Sequence, residues 1–246
     1  MTHRISVALA LAALVGTGGL LRAAATASGA GQITPSKGRA ELMHEQFRSV
    51  TGALDSIIRG NLQGAKNEAR LVAHFPDPTG LPPGAAPYLL AMRTSAGRAA
   101  DAADLPAAAS ATGAMLATCG DCHRAVGTMP AHPAPPEATI GGVIGHMIAH
   151  QAAMDLLVQG LTTPSTSLWN QGADALVAAP LRKSQLPSDA KVSGEIMKGE
   201  QHVHELAARA RQAEDTPSRV AVYSELVQSC ATCHGVNRKG YGPAYR

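Results

Sequence analysis

Two five-residue stretches carry the residue types that could do chemistry here: Cys119-Gly-Asp-Cys122-His123 and Cys230-Ala-Thr-Cys233-His234. Each has the Cys-x-x-Cys-His order through which a porphyrin is attached covalently. Two thiols one helical turn apart can add to the two vinyl groups of one haem as thioethers. The adjoining imidazole then lies against the iron as proximal ligand. The two motifs use all four cysteines of the chain. A single zinc would need the pairs close together, at about 15–20 residues, whereas 108 positions separate Cys122 from Cys230. A thioredoxin-like redox pair would need a strand before its helix, and no strand pattern is found nearby. The expected cofactors are therefore two covalently bound c-type haems, with His123 and His234 as proximal iron ligands.

The motifs sit inside a longer repeat. Ala96–His123 aligns without a gap on Ala207–His234, and the alanines at 96, 99 and 102, with Arg98, Asp104, Pro106, Cys119, Cys122 and His123, recur 111 positions later. A proline-rich linker, 129–136, separates a first unit at 34–128 from a second at 137–246. Each unit reads as four helices. In the first, Lys37 to Gly60 places Met43, Phe47, Val50, Leu54 and Ile57 on one face. Helices from Asn61 to about Phe75 and from about Tyr88 to Ala103 follow. A fourth starts at Asp104 and runs through Ala109, Met115 and Leu116 to Cys119. In the second, Thr139 to Leu161 carries Val143, Met147, Met154 and Leu157. Ser165 opens a helix with Trp169 and Leu176, Asp189 to Ala213 forms the third, and Thr216-Pro217 caps the fourth, with Val222, Leu226 and Val227 ahead of Cys230.

Composition agrees. Aromatic residues make up 3% of the chain and the net charge is +3. Abundant alanine favours helix, and scarce β-branched and aromatic residues disfavour sheet. The mild charge gives no footprint for nucleic acid or an anionic membrane surface. The expected fold is all-α: two tandem four-helix bundles, each with its Cys-x-x-Cys-His site near the end of the fourth helix. Residues 1–30 read as a signal peptide, with Arg4, an apolar run from Ile5 to Leu21, and small-residue cleavage sites at Ala25-Thr-Ala27 or Ser28-Gly-Ala30. Gly16, Gly18 and Gly19 interrupt that run, which argues against a membrane anchor. A periplasmic protein without stable membrane insertion is expected.

In globular cytochromes c the motif lies near the start and a ligating methionine follows far downstream. Here twelve residues follow His234 and none is methionine. A motif at the end of a four-helix unit, together with the opening Arg39-Ala-Glu-Leu-Met43, resembles the class II cytochromes, cytochrome c-prime and its low-spin relatives. That resemblance implies haem binding by Cys119, Cys122, His123, Cys230, Cys233 and His234, and a distal iron face supplied by the first helix of each half. The expected distal ligands are His44 and His150, with Met43, His146 and Met147 as alternatives. His202 and His204, two residues apart, cannot share a helical face and are expected exposed; His74 and His132 fall at a helix end and in the linker. The basic tail, Arg238, Lys239 and Arg246, could dock an acidic partner. No phosphate loop, nucleophile elbow or further metal motif is present. The expected function is electron transfer between redox partner proteins, not enzymatic catalysis. The alternatives are binding of nitric oxide or carbon monoxide at a five-coordinate haem, a redox subunit of a larger oxidoreductase, and a dihaem peroxidase, although peroxidases resemble tandem globular cytochromes with early motifs.

Overall fold

The computed structural model describes residues 38–77, 80–132, 141–178 and 181–240, with the backbone alone over 236–240. The expected signal peptide, residues 34–37 of the first unit, linker positions 133–136 and Arg246 lie outside these residues, as do the side chains of Arg238 and Lys239. Among the described residues every regular element is helical: α1 (Arg39–Ile58), α2 (Leu62–Ala73), α3 (Ala86–Ala100), α4 (Leu105–Val126), α5 (Gly142–Thr162), α6 (Thr166–Ala178), α7 (Ala190–Gln212) and α8 (Thr216–Gly240), with one 3-10 turn at Lys183–Gln185. No helix among them is long and apolar enough to cross a membrane.

Local chemistry explains the boundaries. Asp104 caps α4 by accepting from the Ala107 N–H at 2.8 Å, and Asp215 does the same for α8 from Ser218 N–H at 2.7 Å. These two aspartates are partners in the repeat, so the duplication preserves the start of each motif-bearing helix. Pro87 falls in the first turn of α3, where no intrahelical N–H is needed. The helix therefore begins at Ala86, ahead of the expected Tyr88. Both motif helices run on past their cysteines; α4 stops at Gly127, whose φ of 68° is left-handed.

Consecutive helices pack against each other from α1 through α8, and α4 also lies along α8 and α5. The described residues form one compact unit, and one apolar core takes in Ile57, Met115 and Leu116 as well as Leu157, Trp169 and Leu226. The duplicated alanines explain how. Ala96, Ala99 and Ala102, and their counterparts Ala207, Ala210 and Ala213, are all buried, and their small side chains let helix backbones approach closely. Trp169 fills the space beside α7 and donates from its indole N–H to the Ala210 carbonyl at 2.7 Å. Gly113 of α4 meets Ser224 and Val220 of α8, while Ala109 accepts from Ser224. The pair is antiparallel, so the two motifs run to opposite ends, roughly 25 Å apart along the axis at 1.5 Å per residue.

Candidate functional site

Cys119, Cys122 and His123 occupy the last two turns of α4. Both thiols are unbonded and half-buried. Burial pushes Cys119 up to about 12, with Cys122 adding to the rise, and burial also raises Cys122. These are neutral thiols, unlike the low-pKa cysteines of redox catalysis. His123 donates from Nδ1 to the Thr162 carbonyl at 2.8 Å. A carbonyl only accepts, so Nδ1 carries the ring proton and Nε2 keeps its lone pair when the ring is neutral. Thr162 closes α5, and α5 reaches the motif because Gly120 has no side chain: a Cβ there would collide with the Leu161 carbonyl.

His132 also comes to this end. Its ring centroid is 5.8 Å from that of Phe47 on α1, and its Nε2 lies 3.2 Å from the Thr162 hydroxyl. Burial lowers its pKa first, and repulsion from His123 and then His44 lowers it further. Three imidazoles, two of them weighed in the sequence as ligands, thus share one neighbourhood. His44 itself is exposed and Met43 half-buried. His132 was invisible as a member because linker position says nothing about the helices it folds back upon.

At the far end of the α4/α8 pair, Cys230, Cys233 and His234 are half-buried on α8. Burial pushes Cys230 up to about 12, with Cys233 next. Cys233 is raised by burial and then by the negative charge of Glu200. The adjoining Gly199 on α7 would bring a Cβ within 3.8 Å of the Cys233 side chain.

Glu200 is the centre of a buried cluster. Its Oε2 accepts from His146 Nε2 at 3.0 Å and lies 3.9 Å from His150 Nε2. Its Oε1 accepts from the Leu181 N–H at 3.4 Å and lies 3.2 Å from His204 Nε2. The His146 and His150 rings stand side by side, centroids 4.1 Å apart. Burial drives Glu200 upward, but the hydrogen bond from His146 and the surrounding imidazoles outweigh it and hold the carboxyl below its ordinary value. His150 is lowered to about 4, by burial first and then by His146.

Two of the expected distal candidates, His146 and His150, are therefore together, with Met147 half-buried on the same helix. His202 is exposed as expected, but His204 turns inward, which corrects the expectation that both face solvent. The two-residue spacing excluded a shared face correctly; it did not say which of the pair faces the core. The missed signal was a different spacing. His146 and His150 on α5, like Glu200 and His204 on α7, are four residues apart, so each pair lies on one face of its helix. His74 lies at the end of α2, as expected, with Nδ1 2.9 Å from the Arg70 carbonyl. No family model, curated protein or solved structure matches this chain.

Proposed function

We propose that the chain is a dihaem c-type cytochrome built as two tandem four-helix bundles, α1–α4 and α5–α8, that carries single electrons between redox partner proteins in the periplasm. The observation that carries this reading is the duplication itself. Two complete Cys-x-x-Cys-His motifs end two helices that share an aspartate cap, and each of these helices follows a helix with the same buried alanines.

The donor set suits haem. Neutral thiols one turn apart and outside any disulfide are the form that adds to a vinyl group. His123, with its Nδ1 proton given to the Thr162 carbonyl, offers Nε2 in the orientation-locked manner usual for metal-binding imidazoles. The apolar stripes of α1 and α5 are half-buried at Met43, Phe47, Val143 and Met147 but buried further along at Ile57 and Leu157. Side chains left half-covered beside a motif are what an inserted macrocycle would cover. When bound, each haem supplies a one-electron iron couple tuned by its axial ligands and surroundings. The chain's task is to attach the groups through Cys119, Cys122, Cys230 and Cys233, hold their irons through His123 and His234, and keep water from them.

His44 is the proposed distal ligand in the first half. In the second, His150 is the choice made from sequence, yet its Nε2 faces Glu200. That favours a second reading for this half alone, an iron whose sixth position takes a small gas. Oxidised and dithionite-reduced absorption spectra with and without carbon monoxide, beside a pyridine haemochrome count, test both. Two haems per chain are expected; none would end the cytochrome reading. Bands unmoved by carbon monoxide would leave electron transfer alone, and a shift in half of the signal would support the second reading.

A further inference from the structure

Among the buried titratable groups, the cluster around Glu200 is left unexplained by haem attachment. Its difficulty is one of counting. One carboxylate, already accepting from Leu181 and His146, is surrounded by three imidazoles. The Nε2 atoms of His150 and His204 are buried and make no hydrogen bond. Burying such nitrogens without a partner is unfavourable.

We propose that His146, His150 and Glu200 form a binding site for one divalent transition-metal ion of the zinc or ferrous type, separate from the haem irons. The three donor atoms lie within 4.8 Å of one another and all three side chains are buried. Donors about 2.0–2.1 Å from a tetrahedral ion stand roughly 3.4 Å apart. The distances from Glu200 Oε2 to the two imidazole nitrogens, 3.0 and 3.9 Å, bracket that value. An ion at their centre replaces the His146–Glu200 hydrogen bond by two bonds and gives His150 the partner it lacks. Two imidazoles and a carboxylate select zinc, iron, cobalt, nickel or copper over magnesium and calcium, which prefer oxygen alone.

The supports are also in place. The Leu181 N–H donates to the far oxygen, Oε1, with His204 Nε2 3.2 Å from it, which orients the carboxylate while Oε2 turns to the ion. The His150 nitrogen that faces Glu200 Oε2 is Nε2, at 3.9 Å, and it is the one that would coordinate. Paired spacing of four residues on both α5 and α7 brings each contribution from a rigid helical face. A Cβ on Gly199, beside Glu200, would lie 3.8 Å from the Cys233 side chain, so the site adjoins the second motif. His150 Nε2 cannot serve this ion and a haem iron together.

The test uses the full-length, haem-loaded protein, stripped by chelator and titrated with zinc chloride by calorimetry, with zinc and iron counted by mass spectrometry against haem. One zinc per chain is expected above any weak surface binding. Glu200→Gln and His146→Asn should each weaken it at least 100-fold, and His204→Gln about 10-fold, with the haem absorption unchanged. Zinc should also raise the melting temperature of the unsubstituted protein, a readout that survives if a variant fails to fold. The proposal is overturned if the unsubstituted protein takes up no zinc, or if Glu200→Gln binds it as well. It is equally overturned if His150→Gln converts a low-spin haem to high-spin, since His150 would then belong to the haem iron. Absence of haem, by contrast, would count against the cytochrome reading and leave this site standing.

Discussion

The two ends of the α4/α8 pair carry the same Cys-x-x-Cys-His motif in different company. At the α4 end the neighbours are a backbone carbonyl from Thr162, the ring of Phe47, and His132. No carboxylate contributes to the shifts of Cys119, Cys122 or His132 there. At the α8 end a buried carboxylate, Glu200, reaches Cys233 electrostatically and gathers three imidazoles. The duplication conserved local features: the aspartate cap and motif of α4 and α8, and the buried alanines of the helix before each. What differs comes from other helices, and that is where the two halves acquire separate properties. With the motifs roughly 25 Å apart along antiparallel helices and screening lengths near 10 Å, each end should behave as its own redox site.

The sharpest way to break the comparison is to remove one attachment site. Cys119→Ala with Cys122→Ala should halve the pyridine haemochrome signal and leave the spectral features of the α8 end intact. Cys230→Ala with Cys233→Ala should do the converse, removing whatever part of the spectrum responds to carbon monoxide. If either double variant abolishes both haems, the two ends are not independent.

A smaller effect separates the motifs at a single position. Gly120 and Ala231 are equivalent in the repeat. A Cβ on Gly120 would press on the Leu161 carbonyl where α5 crosses, whereas Ala231 already carries one on a half-buried face. Gly120→Ala should therefore destabilise the protein by about 1–3 kcal/mol, because overpacking against backbone cannot be relieved by rotating a side chain. Ala231→Gly should cost only the helix penalty of about 0.5–1 kcal/mol. Urea denaturation of both variants checks this, and equal losses would mean that α5 does not bear on the first motif as described.

Gly120 also marks the boundary of what sequence could reveal. The helices, their order and most of their limits were legible, because apolar periodicity, prolines and aspartate caps act locally. Val50, Leu54, Ile57, Met115 and Leu116 were expected inside and are buried. The motifs were legible as contiguous runs, and the proposed haem attachment rests on that pattern. Contacts between distant helices were not: nothing near Gly120 announces Leu161, and nothing near His132 announces Phe47. The Glu200 cluster lay between these cases. Its two four-residue spacings were readable, but their convergence depends on how α5 and α7 face each other, which neither spacing contains.

The smallest expected effect tests what the halves share. Asp104 and Asp215 each accept a first-turn N–H, at 2.8 and 2.7 Å, and removing either leaves that donor to water at a helix end. A lost cap of this kind lowers the melting temperature of a chain this size by about 2–4 °C, and Asp104→Ala should fall in that range. Asp215→Ala should shift in the same direction, because the duplicated cap faces the same duplicated backbone. The informative readout is the haem spectrum recorded beside the melt. A cap lies about four helical turns before its motif, too far to touch the attached group, so both variants should lose stability with unchanged absorption. A spectral change in Asp215→Ala alone would mean that the register of α8 against α7, which sets Gly199 beside Cys233, depends on where α8 starts. The second end would then be the more easily disturbed of the two.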